Sequence, residues 1–170
     1  MTGVWEIAGS AFGAVATLAG VVAGGRLGSR AQERQWGRDA CRDACADVLR
    51  GYVEVHRYFS RWARTGVQEE FDWSEWNRAL GLVRLVAPPE VAAAADAMDA
   101  ELWVISHALR GGRHGMDAWL PLREQLEARH LAFLNAARAG LLPGNRPLAR
   151  AVGRPPADHP IWQLPAPRPE

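Results

Sequence analysis

Lysine is absent from this chain: all 20 basic residues are arginine. Chemistry that needs a lysine amine is therefore excluded, both the phosphate-binding loop that ends in Gly-Lys and any Schiff base. The arginine bias, with its plentiful alanine, glycine and proline, reads as the codon usage of a GC-rich bacterial genome. Cysteine is scarce. Cys41 and Cys45 stand one helical turn apart and cannot staple distant segments, so they give no sign of an oxidising compartment. Net charge is also nearly absent, at +1 over 170 residues, which excludes nucleic-acid binding through bulk charge. Catalytic signatures are missing as well. There is no His-Glu-x-x-His, no Gly-x-Ser-x-Gly and no dinucleotide fingerprint, and His56, His107, His114 and His159 form no motif. An enzyme of this size ordinarily shows a cluster of convergent polar groups, so neither catalytic residues nor a cofactor are expected.

The chain does contain one long uncharged run, the nineteen residues from 7 to 25. As a helix this run would rise roughly 28 Å, close to the ~30 Å of a hydrocarbon core. Projected at about 100° per residue, Gly9, Gly13, Ala16, Gly20, Gly24 and Gly28 fall on one side, and Val4, Ile7, Phe12, Val15, Leu18 and Val22 on the other. A glycine exposed to water in a helix costs about 1 kcal/mol against alanine, whereas in lipid a smooth face lets two helix backbones approach. Gly9-x-x-x-Gly13 and Gly20-x-x-x-Gly24-x-x-x-Gly28 are thus the expected packing stripe of a transmembrane helix that can self-associate. A buried hairpin helix and a weak signal peptide are the alternatives. A cleaved signal is disfavoured because only the amino terminus and Glu6 precede the run, with no basic segment.

Arg26, Arg30, Arg34, Arg38 and Arg42 follow at four-residue intervals, offset locally by Glu33 and Asp39. The positive-inside rule assigns this side to the cytoplasm, which predicts a single pass through a bacterial cytoplasmic membrane with the N-terminus outside. Arginines so placed can meet anionic lipid heads or form a solvated helix face.

Cys41, Cys45, Val48, Tyr52, Val55, Phe59 and Trp62 then alternate in steps of four and three, the seam of a helix packed on others. Arg50 and Glu54 form an i,i+4 pair outside the seam, and Thr65-Gly66 closes the helix, which can be continuous with the membrane segment. Asp72-x-x-Glu75 has the form of a capping box ahead of Trp73, Trp76, Leu80, Val83 and Ala87, and Pro88-Pro89 ends that helix. Pro89 fits the first turn of a third helix with Val91, Ala95, Met98, Leu102, Ile105 and Leu109 inward and Gly111-Gly112 at its end. Asp117 is placed to cap a fourth, with Trp119, Leu122, Leu126, His130, Phe133 and Ala137 on one side. Four helices joined by short turns, each with one apolar stripe, predict an antiparallel bundle and no sheet. Six of the eight tryptophans fall between Trp36 and Trp119, and are expected to fill its core, a tryptophan-lined partner groove being the alternative.

Residues 143 to 170 hold eight of the eleven prolines and are expected to form an extended or disordered tail, in which the apolar patch HPIWQLP, 159 to 165, can dock on the bundle, the preferred reading, or on a partner. Two features resemble metal sites in part. Glu127-x-x-His130 has the spacing of di-iron bundles but no second copy, and Cys41 and Cys45 lack a matching pair of ligands. A hydrogen-bonded core or boundary histidine and two core cysteines are expected instead, and no metal.

The opening AFGAVATLAGVVAGGRLGSR and the following RAQERQWGRDACRDAC resemble, over roughly the first sixty residues, the small uncharacterised membrane-anchored helical proteins of GC-rich actinobacteria. That resemblance implies a single-pass anchor with a cytoplasmic helical domain and brings no catalytic residue. The reading as a whole is an all-α chain: a transmembrane anchor over 1–28, a cytoplasmic bundle over 29–140 and a Pro-rich tail over 141–170. Its expected role is that of an interaction protein holding an unknown protein partner at the membrane, with a homo-oligomer formed through the N-terminal helix and no nucleic-acid partner. The alternatives are a membrane-active assembly of packed glycine helices and, less favoured, a metal-dependent enzyme.

Overall fold

Among the described residues of the computed structural model every secondary-structure element is helical: α1 (Gly3–Thr65), α2 (Ser74–Val86), α3 (Pro89–Arg110) and α4 (Met116–Leu141). The structure describes the backbone of residues 3–150 and residue 160, and the side chains of residues 32, 33, 35–150 and 160. α1 is one uninterrupted helix of 63 residues, about 95 Å at ~1.5 Å per residue. The glycine-rich run and the bundle seam therefore share one backbone rod, as their spacing allowed. The side chains of 7–25 lie outside the described residues, among which no helix is long and apolar enough to cross a membrane.

Local chemistry explains the helix ends. α1 stops at Gly66, whose φ of +69° favours glycine and whose N–H donates to the Trp62 carbonyl at 2.9 Å. Asp72 does hold the start of α2, but as a turn: its Oδ1 accepts the Ser74 N–H at 2.8 Å. The capping box is not closed, because Glu75 pairs forward with Arg78 at 2.7 Å. Pro89 begins α3 as expected, with the Pro88 carbonyl accepting the N–H groups of Val91 and Ala92. At α4 the cap is Gly115, with φ of +95°, and not Asp117, which sits in the first turn where its charge suits the helix dipole. The Gly115 N–H donates to the Ala63 carbonyl at 2.8 Å, tying the start of α4 to the end of α1.

Side-chain pairs running in opposite chain directions fix the topology. Asp47 meets Arg78 across α1 and α2 while, further along α1, Gly51 faces Trp76. Arg84 meets Asp96, and Trp76 meets Asp99, across α2 and α3. Glu101 meets Arg129, and Val91 nears Gly140, across α3 and α4. Tyr52 meets His130, and Ala63 meets Gly115, across α4 and α1. Each neighbouring pair is antiparallel, and the four helices close into an up-down-up-down bundle.

The seams read from the sequence are the core. All seven named positions of α1, all six of α3 and all six of α4 are buried, with Trp76, Leu80 and Val83 from α2. Gly51 is needed where it stands: a Cβ there would come within 3.1 Å of Trp76 Cε3, so its absence lets α1 and α2 close over the indole. Trp76 in turn donates its indole N–H to Asp99 at 2.7 Å. α2 is only 13 residues long and cannot span its neighbours. The connecting segment 66–73 continues its column, packing Phe71 4.8 Å from Tyr58 and Trp73 6.1 Å from Phe59 between ring centroids.

Three sequence expectations change. Arg50 pairs back to Asp47 at 2.6 Å and Glu54 forward to Arg57 at 2.9 Å, because i,i+3 partners on the same turn compete with the Arg50–Glu54 pair. The tryptophans divide: Trp62, Trp76 and Trp119 are buried and Trp73 is half-buried, but Trp36 is 72% and Trp103 66% exposed. The proline-rich segment is not free along its whole length. Asn135 clamps it, accepting the Leu148 N–H at 2.7 Å and donating to the Leu148 carbonyl at 3.1 Å. The HPIWQLP patch, apart from residue 160, lies outside the described residues.

Candidate functional site

Two places gather the residues that the sequence singles out and their neighbours. The first is the N-terminal reach of α1. Gly9, Gly13, Gly20, Gly24 and Gly28 fall within this helix, and so do Arg26, Arg30 and Arg34, with side chains outside the described residues. Arg38 is described and exposed, as are Gln32, Glu33, Gln35 and Trp36. Among the described residues, burial begins at Cys41. The last arginine of the series, Arg42, lies between Asp39 at 3.2 Å and Asp43 at 3.1 Å, so its charge is locally offset.

The second place lies between α1 and α4. Tyr52 and His56 occupy successive turns of α1, and Trp119 and His130 face them from α4. The Tyr52 and His130 rings stack with centroids 3.9 Å apart and an interplanar angle of 5°, and His56 lies 5.8 Å from both Tyr52 and Trp119. His130 is 6% exposed and its Nδ1 has no hydrogen-bond partner. Burial is the main reason that its pKa falls to about 4, with the nearby His56 adding to the effect. Burial lowers the His56 pKa too, against Glu127, which raises it. Tyr52 is pushed up to about 12 by burial and by Glu127. At neutral pH this cluster holds two uncharged imidazoles and a protonated phenol. Such a set packs well and supplies neither a cationic acid nor a ready nucleophile.

The half-motif Glu127-x-x-His130 is spent differently from a metal site. Glu127 faces Arg123 at 3.3 Å, and His130 turns its ring onto Tyr52. Among the described residues, no group of three or more His, Cys, Asp and Glu side chains converges to hold a metal ion. Cys41 and Cys45 are free thiols inside the core, and burial together with the Cys41 neighbour pushes Cys45 up to about 12. His56 was the member of the cluster that sequence reasoning missed. It stands one turn from the seam residue Tyr52, and only the adjacency of α1 and α4 brings it to Trp119.

No family model, no curated protein and no solved structure matches this chain.

Proposed function

We propose that this protein is a membrane-anchored helical scaffold, whose bundle is carried on the inner face of a bacterial cytoplasmic membrane and binds a partner protein by burial of surface. The observation that carries this reading is the form of α1, a single helix from Gly3 to Thr65 whose buried positions, among the described residues, start at Cys41. The preceding 38 residues of that helix are a rod of about 57 Å. Such a rod accommodates both an apolar span over 7–25 and a short basic stalk beginning at Arg26. A span of that length matches the hydrocarbon thickness, and the arginines that follow favour the cytoplasmic side. The glycine stripe, Gly9 through Gly28, supplies a smooth face for pairing with a second copy. Trp36, exposed on the stalk, is a large apolar surface close to the membrane and suits a partner contact.

Alkaline carbonate extraction tests the reading. Membranes from cells producing the full chain are compared with those producing a chain that lacks residues 1–28. The full chain is expected in the pellet and the shortened one in the supernatant. Extraction of both would assign the glycine-rich segment to a soluble assembly and end the anchoring model.

A further inference from the structure

The geometry points to a binding pocket for a small planar aromatic carboxylate, set between the start of α2 and the C-terminal half of α3. The pocket exists because α2 is short. α3 runs on to Arg110 past the level at which α2 begins at Ser74, and Trp73 stands at that corner. The cavity measures about 270 Å³ and is lined by Trp73, Asn77, Leu102, Trp103, Ser106 and Arg110. Pockets that enclose drug-sized ligands run from ~300 Å³ upward, so this one suits a molecule of one or two rings.

The lining specifies the chemistry. Leu102 is buried and forms an apolar floor. Trp73 is fixed from behind by Phe71, at 4.8 Å between centroids and 70° between planes, and by Tyr58 at 6.1 Å. Trp103 is its counterpart on α3 and remains 66% exposed, so its ring is open to a ligand. Two indoles on one small cavity favour a flat π-system, which stacks on or meets them edge to face. Charge selects the other end of the ligand. Among the described residues of the lining Arg110 is the only ionisable one, so these bring a cation and no carboxylate to the pocket. Arg61, Arg78 and Arg84 are occupied by Glu69, Glu75 and Asp96, whereas Arg110 makes no ion pair among the described residues. Its guanidinium offers a fork to a carboxylate, with Asn77 and Ser106 as further hydrogen-bonding groups. This site does not depend on the anchoring proposal.

The test uses the full-length protein with its tryptophan indole N–H groups isotope-labelled, titrated with naphthoate and with the neutral naphthylmethanol. Naphthoate is expected to shift the Trp73 and Trp103 resonances saturably. Arg110→Gln should weaken naphthoate about tenfold and leave naphthylmethanol within about twofold, as for loss of one charged hydrogen bond. Trp103→Ala, at an exposed position that folding does not need, should weaken both ligands. An absence of saturable shifts, or binding that both variants retain, would overturn the proposal. Binding that emerges only after Trp162→Ala would overturn it as well, by placing this chain's own tail in the pocket.

Discussion

Replacing His130 with phenylalanine should take away much of the protein's sensitivity to acid. The ring is buried against Tyr52, and its pKa lies at about 4 where an unfolded chain has 6.5. Between those values the unfolded chain binds a proton that the folded chain refuses, so stability falls as pH drops from 6.5 towards 4. This loss is absent above 6.5 and complete below the folded value. At ~1.4 kcal/mol per pKa unit, the shift corresponds to about 3 kcal/mol, a large share of the ~5–15 kcal/mol that holds a domain together. Phenylalanine keeps an aromatic face towards Tyr52, carries no proton, and removes the orphaned Nδ1. Urea unfolding of both proteins at about pH 7 and about pH 4 gives the comparison directly. The natural chain should lose about 3 kcal/mol more than His130→Phe over that interval. A residual slope is expected from His56, which burial also holds below its ordinary pKa. Equal losses in the two proteins would show that His130 is not kept neutral by the fold.

Asn135→Ala removes both hydrogen bonds that hold Leu148. Hydrogen exchange at the Leu148 amide should accelerate by about tenfold, as for ~1.4 kcal/mol of lost protection, while the amides of α3 stay unchanged. Protection that survives the substitution would mean that the segment is held by other contacts. Cys45, with its thiol pushed up to about 12, should resist alkylation by iodoacetamide in the native protein at mildly alkaline pH and react after addition of urea. Ready alkylation of the folded chain would contradict the burial assigned to that turn.

How far the fold could be read in advance depended on the range of the interactions involved. Apolar periodicity is a property of each helix alone. It named Val48, Met98, Leu126 and Phe133, and these are fully buried. Gly66 and Pro89 were also legible, because a positive φ and a missing N–H are local constraints. The cap of α4 was not. Gly115 serves there instead of Asp117, through a bond to Ala63 that depends on how α1 and α4 meet. The same limit applies to the ion pairs, where Arg50 had acidic partners three residues before and four after. Trp103 is different: it stands beside the α3 stripe that runs through Leu102 and Ile105, so its exposure was open to a reading of its own helix. His56 and Trp119, 63 residues apart in the chain, come together only because α1 and α4 face each other.

One unbroken helix couples the N-terminal segment to the bundle, and a single distance tests it. Spin labels at Arg30 and Arg57, in the full chain with Cys41 and Cys45 replaced by alanine, flank the stretch where the stalk enters the core. Pulsed electron resonance on protein reconstituted in lipid vesicles should give one narrow distribution centred at about 40 Å, the length of continuous helix between those positions. A broad distribution, or one centred well below that length, would mean that the helix is broken between stalk and bundle and that the anchor does not hold the bundle rigidly.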